Sequence, residues 1–156
     1  MSDSPSADLD LEHFLPFRLN RLADLVSRQL AEAYQERFGI DVPQWRVIAT
    51  LGPDRSFTAQ FIAEATRMHK TRVSRAVAEL TAEGLITATE SPADRREFQL
   101  ALTAKGRRLY HKLVPLALAR EQEIFSCLGS TDRDAFLIAL ERLEHGLGAV
   151  SGGRRI

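Results

Sequence analysis

The chain has little of several things that would point to particular chemistries. It carries one cysteine, Cys127, among 156 residues, so no internal disulfide framework is available. Its four histidines are scattered without the spacing of a metal site. No apolar run approaches the roughly 20 residues that a membrane-spanning helix needs; stretches such as LVPLALA are short and interrupted. The opening MSDSPSAD is acidic and polar, lacking both the basic start and the apolar core of a secretory signal, so the expected location is the cytoplasm, with no membrane partner. Also missing are a glycine-rich phosphate loop, an HExxH pair and a GxSxG elbow. Nothing nominates a nucleophile, a metal or a cofactor, and catalysis would have to come from scattered carboxylates. The expectation is therefore that the protein is not an enzyme.

Net charge is absent too, with 21 Lys/Arg against 21 Asp/Glu, but the balance conceals a segregation. Residues 1–66 hold six basic and ten acidic side chains, a net of −4; residues 67–108 hold nine and five, a net of +4; the remainder holds six and six. Phosphate contacts act locally and distant charges are screened over about 8 to 10 Å, so a basic segment suffices for nucleic-acid binding. A solvated helix face is the alternative for such a segment. At 44% hydrophobic and 27% charged, the chain reads as one cored domain.

What is there is mostly helical periodicity. Leu11, Phe14, Leu15, Leu22, Leu25, Val26, Leu30, Tyr34 and Phe38 predict a long first helix, with Pro16 near its start and Gly39 closing it. Asp41 followed by Gln44 forms a capping-box pattern, Pro43 suits a first turn, and Trp45, Ile48 and Ala49 give a second, short helix its apolar face. GPDRS is a turn. Thr58 can cap a third helix with Phe61, Ile62 and Ala65 inward.

The stretch MHKTRVSRAVAEL holds a basic helix. Val73, Ala76, Val77 and Leu80 recur at i, i+3, i+4, i+7, the pattern of a buried stripe. Thr71 and Arg75 then lie opposite it, Arg72 and Ser74 on its flanks, and Lys70 on the first turn, while Ala78 and Ala82 keep the outer face slim. Arginine can donate two hydrogen bonds to guanine O6 and N7, and Ser, Thr and amides at a helix start suit phosphates. His69 at the helix start suits a phosphate contact or a capping role. After Gly84, the alternations Ile86/Ala88 and Phe98/Leu100/Leu102 predict two strands around SPADRRE, a turn with Arg95 and Arg96 near its tip. The fold class that results is mainly α with a small β-hairpin: a winged helix-turn-helix with an additional helical dimerisation region. In such a fold a helix enters the major groove of double-stranded DNA and the wing arginine explores the minor groove.

Beyond the wing, Thr103 can cap a fifth helix carrying Leu109, Leu113, Leu116, Ile124 and Leu128, kinked by Pro115. Thr131 with Asp134 can start a sixth carrying Phe136, Leu140, Leu143 and Leu147. These apolar faces call for a second copy, or else close an ordinary monomeric core. Cys127, between Phe125 and Leu128, is expected to be buried and inert.

In order and spacing, PQWRVIATL, FIAEATRMHKTRVSRAVAELTAEGLI and SPADRREFQLALTAKG, over residues 43–106, resemble the MarR family of bacterial transcription regulators, and compatible outer helices extend the resemblance to nearly the whole chain. The wing pattern Asp-x-Arg followed by alternating apolar residues and LTxxG makes it specific. Arg67 departs from it, since the family usually has glycine in the turn before the recognition helix, and a left-handed backbone there would strain an arginine. The resemblance implies a homodimer on a pseudo-palindrome and an organisation of residues 1–10 as a disordered leader, 11–148 as a single domain, and 149–156 as a flexible tail. Within that domain 11–40 and 104–148 would dimerise and 41–103 form the winged helix-turn-helix. Arg96 matches Asp-x-Arg, with Asp94 orienting it; Arg95 is the alternative minor-groove residue. The implied regulator is a repressor released by a small aromatic effector. The stretch LPFRLNRLADLVSRQL is similar to members that respond to hydroxycinnamoyl-CoA thioesters, which makes His13, Phe14, Phe17, Arg18, Arg21, Trp45 and Arg46 candidate pocket residues for an aromatic acid or its CoA thioester. Core packing of the aromatics and plain surface exposure of the arginines are the alternatives. The family's peroxide sensors place their cysteine near the start of the first helix, unlike Cys127. A winged-helix protein-interaction module remains a different class of function.

Overall fold

The computed structural model describes residues 8–91 and 97–149. Nine elements follow in chain order: α1 (Leu15–Phe38), α2 (Val42–Leu51), β1 (Ser56–Phe57), α3 (Ala59–Thr66), α4 (Lys70–Ala82), β2 (Ile86–Glu90), β3 (Phe98–Leu102), α5 (Ala104–Ile124) and α6 (Ser130–Gly146). The sheet is antiparallel with order β1-β3-β2, so the anticipated hairpin gains a third strand of two residues on the outer edge of β3. Two residues cannot display an alternation, which is why Ser56 reads only as the end of the GPDRS turn.

The helix starts lie where capping chemistry puts them. Asp41 accepts from the Gln44 amide at 2.8 Å while Gln44 Oε1 accepts from the Asp41 amide at 2.9 Å, a complete capping box. Thr58 caps α3 through the Phe61 amide, and Thr103 caps α5 through the Gly106 amide. Gly39 closes α1 at φ 64°. Thr131 does not cap α6: the cap position falls two residues earlier, at Gly129, with no side-chain cap. Leu128 falls beyond the end of α5.

One core holds α2, α3, α4, the sheet, the C-terminal part of α1 and the start of α5. Tyr34, Ile40, Val47, Ile48, Leu51, Ile62, Val73, Leu80 and Leu113 are its largest fully buried side chains. In α3 the inward pair is Ile62 and Ala63, and Ala65 is exposed, contrary to its expected placement; in an eight-residue helix rich in alanine the apolar phase is poorly marked. Gly106 lets α5 approach the sheet, since a Cβ there would meet the Leu85 carbonyl oxygen at 2.1 Å. The LTxxG pattern thus combines a buried Leu102, a capping Thr103 and a contact glycine. Cys127 is exposed, its Sγ 3.8 Å from the Ile124 carbonyl, which corrects the expectation that it packs in the interior.

The outer helices differ. Leu15, Leu19, Leu22 and Leu25 along the first half of α1 are exposed, and α6 buries no residue, leaving Leu137, Ile138, Leu140 and Leu143 open.

Candidate nucleic-acid interface

The turn between α3 and α4 sets the angle at which the basic helix is presented. Arg67 ends α3 in the left-handed region at φ 55°, the conformation that glycine would adopt without strain. Met68 buries itself in the core, and His69 takes the N-cap position of α4. Its Nδ1 accepts from the Thr71 amide at 3.3 Å and lies 2.8 Å from Thr71 Oγ1. With Nδ1 accepting, a neutral ring carries its proton on Nε2, a donor without a partner among the described residues. His69 therefore caps the helix and retains one donor.

Val73, Ala76 and Leu80 bury the inner stripe of α4, with Val77 packed against the same core. This fixes the outer face: Lys70, Thr71, Arg72, Ser74 and Arg75 are all exposed. Neither Lys70 nor Arg72 has an ion-pair partner among the described residues. Arg75 differs, because its Nε donates to Glu79 Oε1 at 2.9 Å. That hydrogen bond, and then the Glu79 charge, hold the guanidinium above its ordinary pKa. Glu79 Oε2 in turn accepts from Gln44 Nε2 at 3.0 Å, linking α4 to the capping box of α2. Sequence reasoning left Glu79 out, although an Arg and a Glu four apart on a helix is a legible pairing signal. Gln44 shows in the sequence only as half of a cap.

The wing ladder pairs Ile86 with Leu102, Ala88 with Leu100 and Glu90 with Phe98. Ile86, Leu100 and Leu102 are buried, whereas Phe98, near the open end, is half exposed. The Ser91 amide donates to the Glu97 carbonyl at 2.8 Å and extends the pairing one step past the ladder. Asp94, Arg95 and Arg96 lie outside the described residues.

The seven candidate effector residues divide into two groups. His13, Phe14, Phe17, Arg18 and Arg21 are exposed at or before the start of α1. There His13 pairs with Asp10 at 2.7 Å, Arg21 pairs with Glu12 at 3.1 Å, and Arg21 also lies 5.6 Å from the centroid of the Phe17 ring. Trp45 and Arg46 belong to α2: Trp45 packs on Tyr34 with ring centroids 5.5 Å apart, and Arg46 Nη2 donates to Ser27 Oγ at 3.4 Å. At 1.5 Å per helical residue, Ser27 lies about 14 Å along α1 from Arg18, so one chain does not gather all seven around a single small ligand.

Known proteins give a consistent comparison. The sequence pattern of the MarR family matches residues 38–97. A Thauera aromatica protein described as a putative transcriptional regulatory protein for the hcr operon is 22% identical over 83% of this chain and 78% of its own. The crystal structure of a MarR/EmrR family transcriptional regulator from Acinetobacter sp. ADP1 is 25% identical with TM-score 0.79, over 91% of this chain and all of that one. Bordetella bronchiseptica BpsR, whose DNA binding is regulated by 6-hydroxynicotinic acid, is 22% identical with TM-score 0.77, over 88% and 98% of the two chains. Rhodococcus jostii CouR, solved with p-coumaroyl-CoA bound, is 19% identical with TM-score 0.71, over 87% and 95%.

Proposed function

Because the chain belongs to the MarR family of transcriptional regulators, which are non-enzymatic DNA-binding proteins, we propose that it is a cytoplasmic, homodimeric repressor of a pseudo-palindromic operator, released by a small aromatic effector. One observation supports this most: the outer face of α4 presents Lys70, Thr71, Arg72, Ser74 and Arg75 together, all exposed, on a helix whose opposite face is locked into the core. In the major groove the arginines would read base edges while Lys70, Thr71, Ser74 and the His69 Nε2 meet phosphates. Arg95 or Arg96, oriented by Asp94, would serve the minor groove.

Dimerisation is assigned to residues 11–40 and 104–148, whose apolar faces a second copy would cover. The effector site is assigned to the junction that such a copy would close, where Phe14, Phe17, Arg18 and Arg21 meet the surface near Trp45 and Arg46; His13 lies at its rim. Stacking on aromatics and pairing of a carboxylate or CoA phosphate with arginine suit an aromatic acid or its thioester. The ligands of BpsR and CouR belong to those two classes. Release from DNA requires that the effector prefer one dimer geometry over the other.

The test is a binding titration of the Arg72→Ala/Arg75→Ala variant against operator DNA, followed by addition of p-coumaroyl-CoA, feruloyl-CoA and 6-hydroxynicotinic acid to the wild-type complex. The double variant should lose about 100-fold or more in affinity while remaining folded. Unchanged affinity would favour a protein-interaction module. A complex that no aromatic acid or thioester dissociates would remove the effector class and leave the regulator standing.

A further inference from the structure

Resting on the DNA-reading role proposed above, we infer that Glu79 and Gln44 form a positioning relay that aims Arg75, and that Arg75 rather than Arg72 carries the base preference of α4. The relay starts from backbone. Because Gln44 Oε1 accepts from the Asp41 amide, the other end of that carboxamide, its NH2 group, must point away from the cap, and it donates to Glu79 Oε2 at 3.0 Å. Gln44 is 6% exposed, so its orientation is fixed by packing as well. Glu79 then spends its second oxygen on Arg75 Nε at 2.9 Å.

The choice of nitrogen matters. Nε is the inner nitrogen of the guanidinium, and engaging it leaves the two terminal nitrogens, the fork that matches guanine O6 and N7, without a partner among the described residues. Arg75 is thus preset while its reading end stays open and exposed. Arg72 has no partner among the described residues that would order it, and it must be ordered at the moment of binding. It suits a phosphate, which accepts a cation from many directions. A carboxylate on this face also repels phosphates, so Glu79 lowers affinity for DNA of any sequence. Its orientation of Arg75 is the compensating gain.

The experiment selects sites from a random duplex pool with the wild-type protein, Glu79→Ala and Glu79→Gln, then measures affinity for the selected site and its single-base variants. Wild type should discriminate about 10-fold or more at one guanine in each half-site. Glu79→Ala should discriminate less than about 3-fold there, bind random duplex as tightly or more tightly, and keep the salt dependence of its phosphate contacts. Glu79→Gln keeps one acceptor oxygen, enough for Arg75 Nε or for Gln44 Nε2 but not for both, and should discriminate to a degree between wild type and Glu79→Ala. Equal single-base penalties in wild type and Glu79→Ala would overturn the relay, as would an undiminished preference in Glu79→Gln. If wild type enriched no site at all, the DNA-reading premise would fail and the relay with it.

Discussion

The winged lobe and the outer helices are built to different standards. Within the lobe, α2, α3, α4 and α5 begin at Asp41, Thr58, His69 and Thr103, each with a side chain accepting from the helix backbone, and their apolar stripes are sealed. At the periphery, α1 starts after Phe14 and α6 after Gly129 without a side-chain cap, and the leucines of the first half of α1 and of α6 stand open. Each such side chain would contribute roughly 1.5 to 3 kcal/mol if fully buried. The lobe closes on its own chain, whereas the periphery carries stabilisation that only another surface can realise. Arg120 joins the far half of α5 to α1, donating to the Gln29 carbonyl and to Glu32 on α1 while pairing with Glu123 on its own helix.

That contrast can be broken most severely from inside the lobe. Gly106→Ala places a methyl group 2.1 Å from a backbone oxygen that cannot step aside, and should cost about 3 kcal/mol or more, read as a collapse of the urea midpoint at every protein concentration. Leu143→Asp, on the open face of α6, should leave the lobe folded. It should convert the protein to a monomer in sedimentation velocity, remove the concentration dependence of Tm, and weaken binding to a two-half-site duplex by about 100-fold.

A subtler probe sits where α1 enters the core. Burial pushes the Tyr34 hydroxyl up to about 12, opposed by the Arg46 charge and reinforced by Asp41. An unfolded tyrosine ionises near 10, so between pH 10 and 12 the unfolded chain gives up a proton that the folded chain keeps. This contribution to stability is whole below pH 10 and disappears as pH rises to 12. Urea midpoints across that window should fall less steeply in Tyr34→Phe than in wild type. The smallest effect is expected at the turn before α4: Arg67→Gly relieves a left-handed arginine and should raise lobe stability by about 0.5 to 1 kcal/mol, measured by urea unfolding.

Much of this arrangement was legible in the sequence because it is encoded locally. The Asp41/Gln44 box, the Thr58 and Thr103 caps and the Val73/Ala76/Leu80 stripe all follow from spacing within a turn or two of chain. What escaped depends on distant partners or on weak local contrast. Gln44 meets Glu79 across 35 positions, so its second hydrogen bond has no local signature. Cys127 sits among apolar neighbours, yet the turn between α5 and α6 turns it outward. Ala63 and Ala65 differ in nothing but phase. For the effector, the sequence offers seven residues, five at or before the start of α1 and two on α2, and the fold of one chain keeps the two groups apart.

The most direct test of the central claim, that two copies joined through the outer helices deliver two α4 helices to one operator, is sedimentation velocity of a fluorescent, pool-selected duplex titrated with the protein. The account predicts a single complex of two chains per duplex whose half-sites lie one helical turn apart, formed cooperatively and weakened steeply by salt. A complex of one chain per duplex with undiminished affinity would contradict it.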